Sequence, residues 1–147
     1  MQFIIQIGES KGLIIPISAW IIAQVLKTII QSVKEKHINL HLMTGAGGMP
    51  SAHSALVCAL ATTMGLTYGI ESGLFAISAV LAGVVMYDAT GVRQTVDKQA
   101  VVLNHLLDNF PKTHYEFEHF LQQLVGHTKF QVLMGAILGI ILAYWWT

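Results

Sequence analysis

The chain has 147 residues, 54% of them hydrophobic and 11% charged, with eight Lys plus Arg against eight Asp plus Glu. A soluble domain carries about 25% charged residues to coat its surface, so this composition excludes a fully water-solvated fold and makes lipid part of the solvent. The neutral balance, with no basic run, gives no footing for nucleic acid, and the single cysteine, Cys58, excludes an internal disulfide and a cysteine-built zinc site.

The length is that of one domain, read as a single integral membrane domain over residues 1–147. Its first ten residues have no basic stretch, and the apolar run behind them is long enough to span, so this end is expected to be retained rather than cleaved. Four apolar runs follow, at residues 13–33, about 54–70, about 73–89 and 130–146. A bilayer core needs about 17–25 helical residues, and these runs lie at the short end of that range. Cys58 falls inside the second run and reads as an inert small core residue. Glu71 and Ser72 form a tight turn between the second and third runs. In the longest connection, Val92, Val96, Ala100, Leu103 and Leu107 recur at helical spacing and predict a helix over 92–107. Phe117, Phe120, Leu121 and Leu124 form the stripe of a second amphipathic helix over 115–125, with Pro111 between the two. The expected fold class is all-α: a polytopic membrane helical bundle of about four spans plus one or two amphipathic helices.

Four spans put both termini and the Glu71 turn on one side. The two long connections then share the other side with Lys34, Lys36, Arg93, Lys98, Lys112 and Lys129, against Lys11 alone on the first. The positive-inside bias predicts that the long connections are cytoplasmic, which in a bacterium means the inner membrane.

Few polar residues interrupt the spans. Lys27 lies near the end of the first and Asp88 at the end of the third; ionisable groups at such depth are costly and tend to face the bundle interior. Lys27 could instead snorkel to the interface. The segment GGMPSAHS carries His53 just after Pro50 and Ser51, at the start of the second span. Ser51 suits an N-cap, and the unpaired N–H groups of a helix start attract anions. Gly45, Gly47 and Gly48 would let the backbone approach a ligand closely. Arg93 follows the third span, and its guanidinium fork suits phosphate oxygens. His127 precedes the fourth span. All five of Lys27, His53, Asp88, Arg93 and His127 fall on one membrane face, which predicts an anion pocket with phosphate as the anion. His37 and His41 have the i,i+4 spacing of a metal pair, but His105, His114 and His119 supply no matching ligand set, so no metal or other cofactor is expected.

The stretches GGMPSAHSALVCALA, VVMYDATGVRQ, KQAVVLN and GHTKFQVLMGAILGI resemble the divergent members of the type 2 phosphatidic acid phosphatase family, also described as acid phosphatase/vanadium-dependent haloperoxidase-related membrane proteins. The resemblance runs from about Ala19 to Ala143. It implies a metal-independent phosphatase acting on a lipid phosphate or lipid pyrophosphate through a phospho-histidine intermediate. It implies His127 as the nucleophile and His53 as the general acid. Lys27, Gly48, Ser51 and Arg93 would hold phosphate, with Asp88 as the orienting carboxylate. Where the wider superfamily has an arginine six residues before its nucleophile this chain has Leu121, and where it has an acidic residue four after, this chain has Gln131. Lys129 stands at a usual proline and Gln94 at a frequent second arginine. These departures motivate a second expectation, a non-catalytic membrane protein that binds phosphorylated lipid. A homodimer is expected because four spans are few for the superfamily's helical core.

Overall fold

The computed structural model describes residues 10–35, 48–92, 95–96, 99–103 and 127–147. Four helices carry the fold: α1, Lys11–Glu35; α2, Ala52–Tyr68; α3, Gly73–Thr90; and α4, Lys129–Trp146. No strand occurs among the described residues. Each helix extends the expected apolar run by no more than two residues at either end, except that α2 stops two residues early. The described residues between 92 and 103 are helical apart from their own gaps, as the spacing predicts, whereas the expected helix at 115–125 lies outside the described residues.

The helix ends follow local chemistry. Ser51 caps α2, its hydroxyl accepting the Ser54 N–H at 3.4 Å. Gly69 ends that helix at φ +86°, a conformation natural to glycine, and its N–H returns to the Gly65 carbonyl at 3.0 Å. The Ser72 hydroxyl then donates to the Gly69 carbonyl at 2.7 Å while accepting the Phe75 N–H at 3.2 Å. One serine thus closes the turn and caps α3. Thr128 caps α4 in a reciprocal capping box with Gln131.

The helices run alternately up and down, with α2 packed against all three others. Ala52 and Ala55 meet Ala23 of α1, and Ala59 meets Ile15 and Ala19 of α1 and Ala143 of α4. Val57 and Cys58 meet Ala82 of α3. At the far end, Lys11 Nζ donates to the Thr147 carbonyl at 2.7 Å, tying the start of α1 to the end of α4. The core is built largely of alanine, glycine, serine and threonine. Helices in lipid gain from close approach rather than from expelling water, and small residues permit it. Large apolar side chains point outward instead, among them Ile17, Ile21, Ile77, Val80, Val84, Ile137 and Ile141. That inversion is the pattern of a bundle solvated by hydrocarbon, and the chain is an integral membrane protein.

Three of the helices, over Lys11–Val33, Gly73–Thr90 and Lys129–Trp146, are long and apolar enough to cross a membrane. With 17 residues, α2 is about 26 Å long at 1.5 Å per residue, a little under the bilayer core. Its neighbours cover it along its length, from Ser51 beside Gln131 to Gly65 beside Phe75. It can therefore carry Ser54, Thr62 and Thr63 where lipid-facing helices carry leucine and isoleucine.

Candidate functional site

The chemistry-bearing residues gather at the end of the bundle where α1 and α3 finish and α2 and α4 begin. Three backbone-level contacts set this geometry. The Ser51 N–H donates to the Gln131 carbonyl at 3.0 Å, joining the starts of α2 and α4. The His127 N–H donates to the Ala89 carbonyl at 3.4 Å, joining α4 to the last turn of α3 beside Asp88. Gly48 lies over the Lys27 side chain: a Cβ placed on Gly48 would come within 2.8 Å of Lys27 Cγ and 3.5 Å of Gln31 Oε1.

Lys27 is only 4% exposed, so its stem is enclosed between α1 and the segment leading into α2. Gly48 has φ +79°, where a side chain is strained. Its close neighbour is thus the lysine stem, a more specific reason for glycine than ligand approach in general. Ser51 is fully buried. Its hydroxyl accepts from the Ser54 N–H and from the Ser54 hydroxyl, the latter at 3.0 Å, and its own N–H is held by Gln131. Ser51 therefore acts here as an anchor for the helix start. The next N–H groups, of Ala52 and His53, begin α2 and have no carbonyl within the helix to receive them. His53 is exposed in that first turn.

His127 is 5% exposed, and its Nδ1 lies 3.2 Å from Gln131 Oε1. The same oxygen accepts the Thr128 N–H at 3.0 Å, and the Gln131 N–H donates to the Thr128 hydroxyl at 3.3 Å. The Thr128 N–H can only donate, so the atom facing it is the amide oxygen. An oxygen also facing Nδ1 requires the proton to be on Nδ1, which leaves Nε2 as the basic, nucleophilic nitrogen of the neutral ring. Gln131 thus selects this tautomer without supplying a negative charge. Lys27, His53, Asp88 and His127 each have interactions in the structure, so none stands isolated in the bundle.

Lys27, Gly48, Ser51, His53, Asp88 and His127 are therefore at one end of the bundle, whereas Arg93 lies outside the described residues, as do Gly45 and Gly47. Among the described residues no three of His, Cys, Asp and Glu gather into a metal-ligand set, and His37, His41, His105, His114 and His119 lie outside them. A cavity of about 320 Å³ lined by Ser10, Lys11, Gly12, Met64, Thr67 and Tyr68 sits at the opposite end, away from both histidines.

Sequence reasoning passes over two features. Gly135 and Gly139 press the backbone of α4 onto α2, where a Cβ on either would overlap the carbonyl of Ser51 or Ala55. Their four-residue spacing is a visible signal for close helix packing in a membrane. Gln24 and Gln31 flank Lys27 on α1 at three- and four-residue spacing, the signature of one helical face.

Residues 9–142 match the Divergent PAP2 family. The chain belongs to that family. A relative in Bacillus subtilis (strain 168), named as the uncharacterized membrane protein YuiD, is 40% identical over 137 residues, covering 86% of this chain and 87% of its own. No solved structure matches. Membership in the Divergent PAP2 family makes this a phosphatase-related membrane protein, and the family match takes in all four helix starts and every site residue named above.

Proposed function

We propose that the protein is a membrane phosphatase that hydrolyses a lipid phosphate or lipid pyrophosphate through a phospho-histidine. The observation that carries this reading is the buried His127 ring, held by Gln131 with Nδ1 protonated and Nε2 nucleophilic, at the same bundle end as Lys27 and the α2 N-terminus. His127 Nε2 attacks phosphorus, the bond from phosphorus to the lipid oxygen breaks, and His53 supplies the proton to the departing oxygen. Water then attacks the phospho-histidine, with His53 taking up a proton, and phosphate leaves. Lys27, Arg93 and the first-turn N–H groups of α2 hold the phosphoryl oxygens, Gly48 and Ser51 shape that cradle, and Asp88 orients the cationic groups around it. The excess of lysine and arginine on this side supports a cytoplasmic face for the site.

One observation favours a second reading, a non-catalytic protein that binds phosphorylated lipid. The Gln131 amide is neutral and cannot stabilise the imidazolium formed during turnover. One assay separates the two. Purified protein is given phosphatidate and prenyl pyrophosphates, and released phosphate is measured. The expected outcome is release by the wild type, loss of turnover in His127→Ala, and a decrease of about 10²–10⁴-fold in His53→Ala. Equal release by all three proteins would overturn the enzyme; lipid binding without release in the wild type would establish the second reading. A homodimer sharing helices belongs to the same proposal, and crosslinking in native membranes that traps only monomer would remove it.

A further inference from the structure

One side of α2 has no helix over it. Ala52 and Ala59 face α1, Val57 and Cys58 face α3, and the backbone of Ser51 and Ala55 faces α4. The face left over carries His53, Leu56, Leu60 and Met64, at three- and four-residue spacing. Among the described residues α1 and α3 make no contact with each other, so this face opens between them. Leu56, Leu60 and Met64 are nevertheless half-buried, whereas the outward-pointing Ile77, Val80 and Ile137 are exposed. A helix face with nothing over it and half-buried side chains is the floor of a groove, with its neighbours rising on both sides. Leu56 packs against the cluster of Val57, Cys58 and Ala82 on the α3 side. Met64 reaches across to α1, where a Cβ on Gly12 would come within 2.6 Å of its Cε, and so closes the inner end.

The two ends of the groove differ in kind. The outer end is headed by the exposed His53 in the first turn of α2, where the helix dipole is positive, and the Lys27 stem lies beside it under Gly48. Below that end the lining is apolar. Trp20 stands two turns before Lys27 on the same face of α1. Its neighbour Ala19 packs with Ala59, and Ala23 packs with Ala52 and Ala55, so Trp20 lies at the depth of Leu56 and Leu60. The Trp20 side chain is exposed. From His53 to Met64 the groove runs about 16 Å at 1.5 Å per residue, close to one leaflet's share of a hydrocarbon core of about 30 Å.

Resting on the phosphate-site reading above, we propose that the groove between α1 and α3 holds the acyl chain of the lipid whose phosphate occupies that site, with Leu56 and Leu60 as its floor and Trp20 on its wall. A cationic, N–H-rich end continuous with an apolar trough one leaflet deep is complementary to an amphiphile with an anionic head and a hydrocarbon tail. The ligand then stays in its leaflet and enters sideways between α1 and α3. The chain contributes affinity in proportion to the apolar area it buries, so a membrane-resident lipid phosphate is taken in preference to a short, water-soluble one.

The test reads Trp20 fluorescence in the full-length protein in phosphatidylcholine vesicles. Trp145→Phe and Trp146→Phe leave Trp20 as the reporter, and His127→Ala prevents turnover. Bromine atoms midway along an acyl chain quench a tryptophan that they touch. Brominated phosphatidate is titrated against brominated phosphatidylglycerol, an anionic lipid whose phosphate is a diester. Phosphatidate is expected to reach half-maximal quenching at a mole fraction about tenfold lower. Lys27→Met, which releases the head, is expected to abolish that difference. A reporter moved to the exposed Val80 of α3, by Val80→Trp with Trp20→Phe, sits at similar depth beside the buried Ala82 and is expected to be quenched equally by both lipids. Inorganic phosphate binding is measured alongside by calorimetry, with His127 intact. Equal quenching of Trp20 by the two lipids, or an equal preference at Val80, would overturn the groove while phosphate binding left the site intact. Quenching of Trp20 by neither lipid would overturn it too, and is the result if a helix of a second copy covers this face. Absence of phosphate binding, or a phosphatidate preference that survives Lys27→Met undiminished, would instead remove the phosphate site itself and the groove's role with it.

Discussion

Two of the three seams of α2 are built on opposite principles. Against α4 the contact is backbone to backbone: Gly135 receives the Ser51 carbonyl and Gly139 the Ala55 carbonyl, with no room for a Cβ at either position. Against α3 the contact is side chain to side chain. Cys58 Sγ lies 3.7 Å from Met86 Sδ, and the Phe75 ring covers Gly65. Sulfur and aromatic groups are polarizable and adaptable, and methionine adjusts its rotamer to fill irregular gaps. The difference teaches where the molecule has little positional freedom. His53 lies in the first turn of α2 and His127 just before the cap of α4, at the starts of the two helices locked together at the backbone, so their relative placement has little slack. Asp88 sits on the helix held by softer contacts, next to Ala89, whose carbonyl accepts the His127 N–H.

The comparison can be broken most severely at the glycine seam. Gly135→Val and Gly139→Val would force α2 and α4 apart, and little folded protein is expected from expression in membranes. The milder Gly139→Ala should cost about 1–3 kcal/mol by overpacking, read as earlier thermal unfolding in detergent; an unchanged midpoint would mean that the seam is not backbone to backbone. Next in size is Gln131→Leu. It strands the Thr128 N–H and the His127 Nδ1–H, for about 1–3 kcal/mol of stability. Losing the tautomer selection should also lower turnover by a factor on the order of 10²–10⁴. Gln131→Glu keeps both acceptor contacts and adds the charge that stabilises imidazolium, so phosphate release should rise above the wild-type rate; a lower rate would count against His127 as nucleophile.

Gly48→Ala comes third, at about 1–2 kcal/mol for a side chain forced into left-handed backbone. The added methyl would also push the Lys27 stem, so phosphate affinity should fall with it, measurable by titration with inorganic phosphate. The soft seam supplies the smallest effect. Met86→Leu conserves volume and should cost under about 1.5 kcal/mol, with turnover unchanged. A loss of turnover there would show that α3 is as tightly coupled to the site as α4.

Much of this molecule can be read from its residues in order. Low charge and four apolar runs establish a helical membrane bundle, because hydrocarbon accepts only backbone whose hydrogen bonds are closed internally. Ser51 announces its cap, since capping depends on residues within one turn. The site's face follows from counting spans. Tertiary structure decided what depends on partners far apart in the chain. Gly48 is glycine because Lys27, 21 positions earlier, runs beneath it. Gly135 and Gly139 are glycines because α2 meets α4 at those heights, a pairing that no local periodicity specifies. Gln131 reads in sequence as a missing carboxylate. In the fold its oxygen holds both the helix cap and the His127 ring, because an acceptor can fix a tautomer by geometry even where it brings no charge.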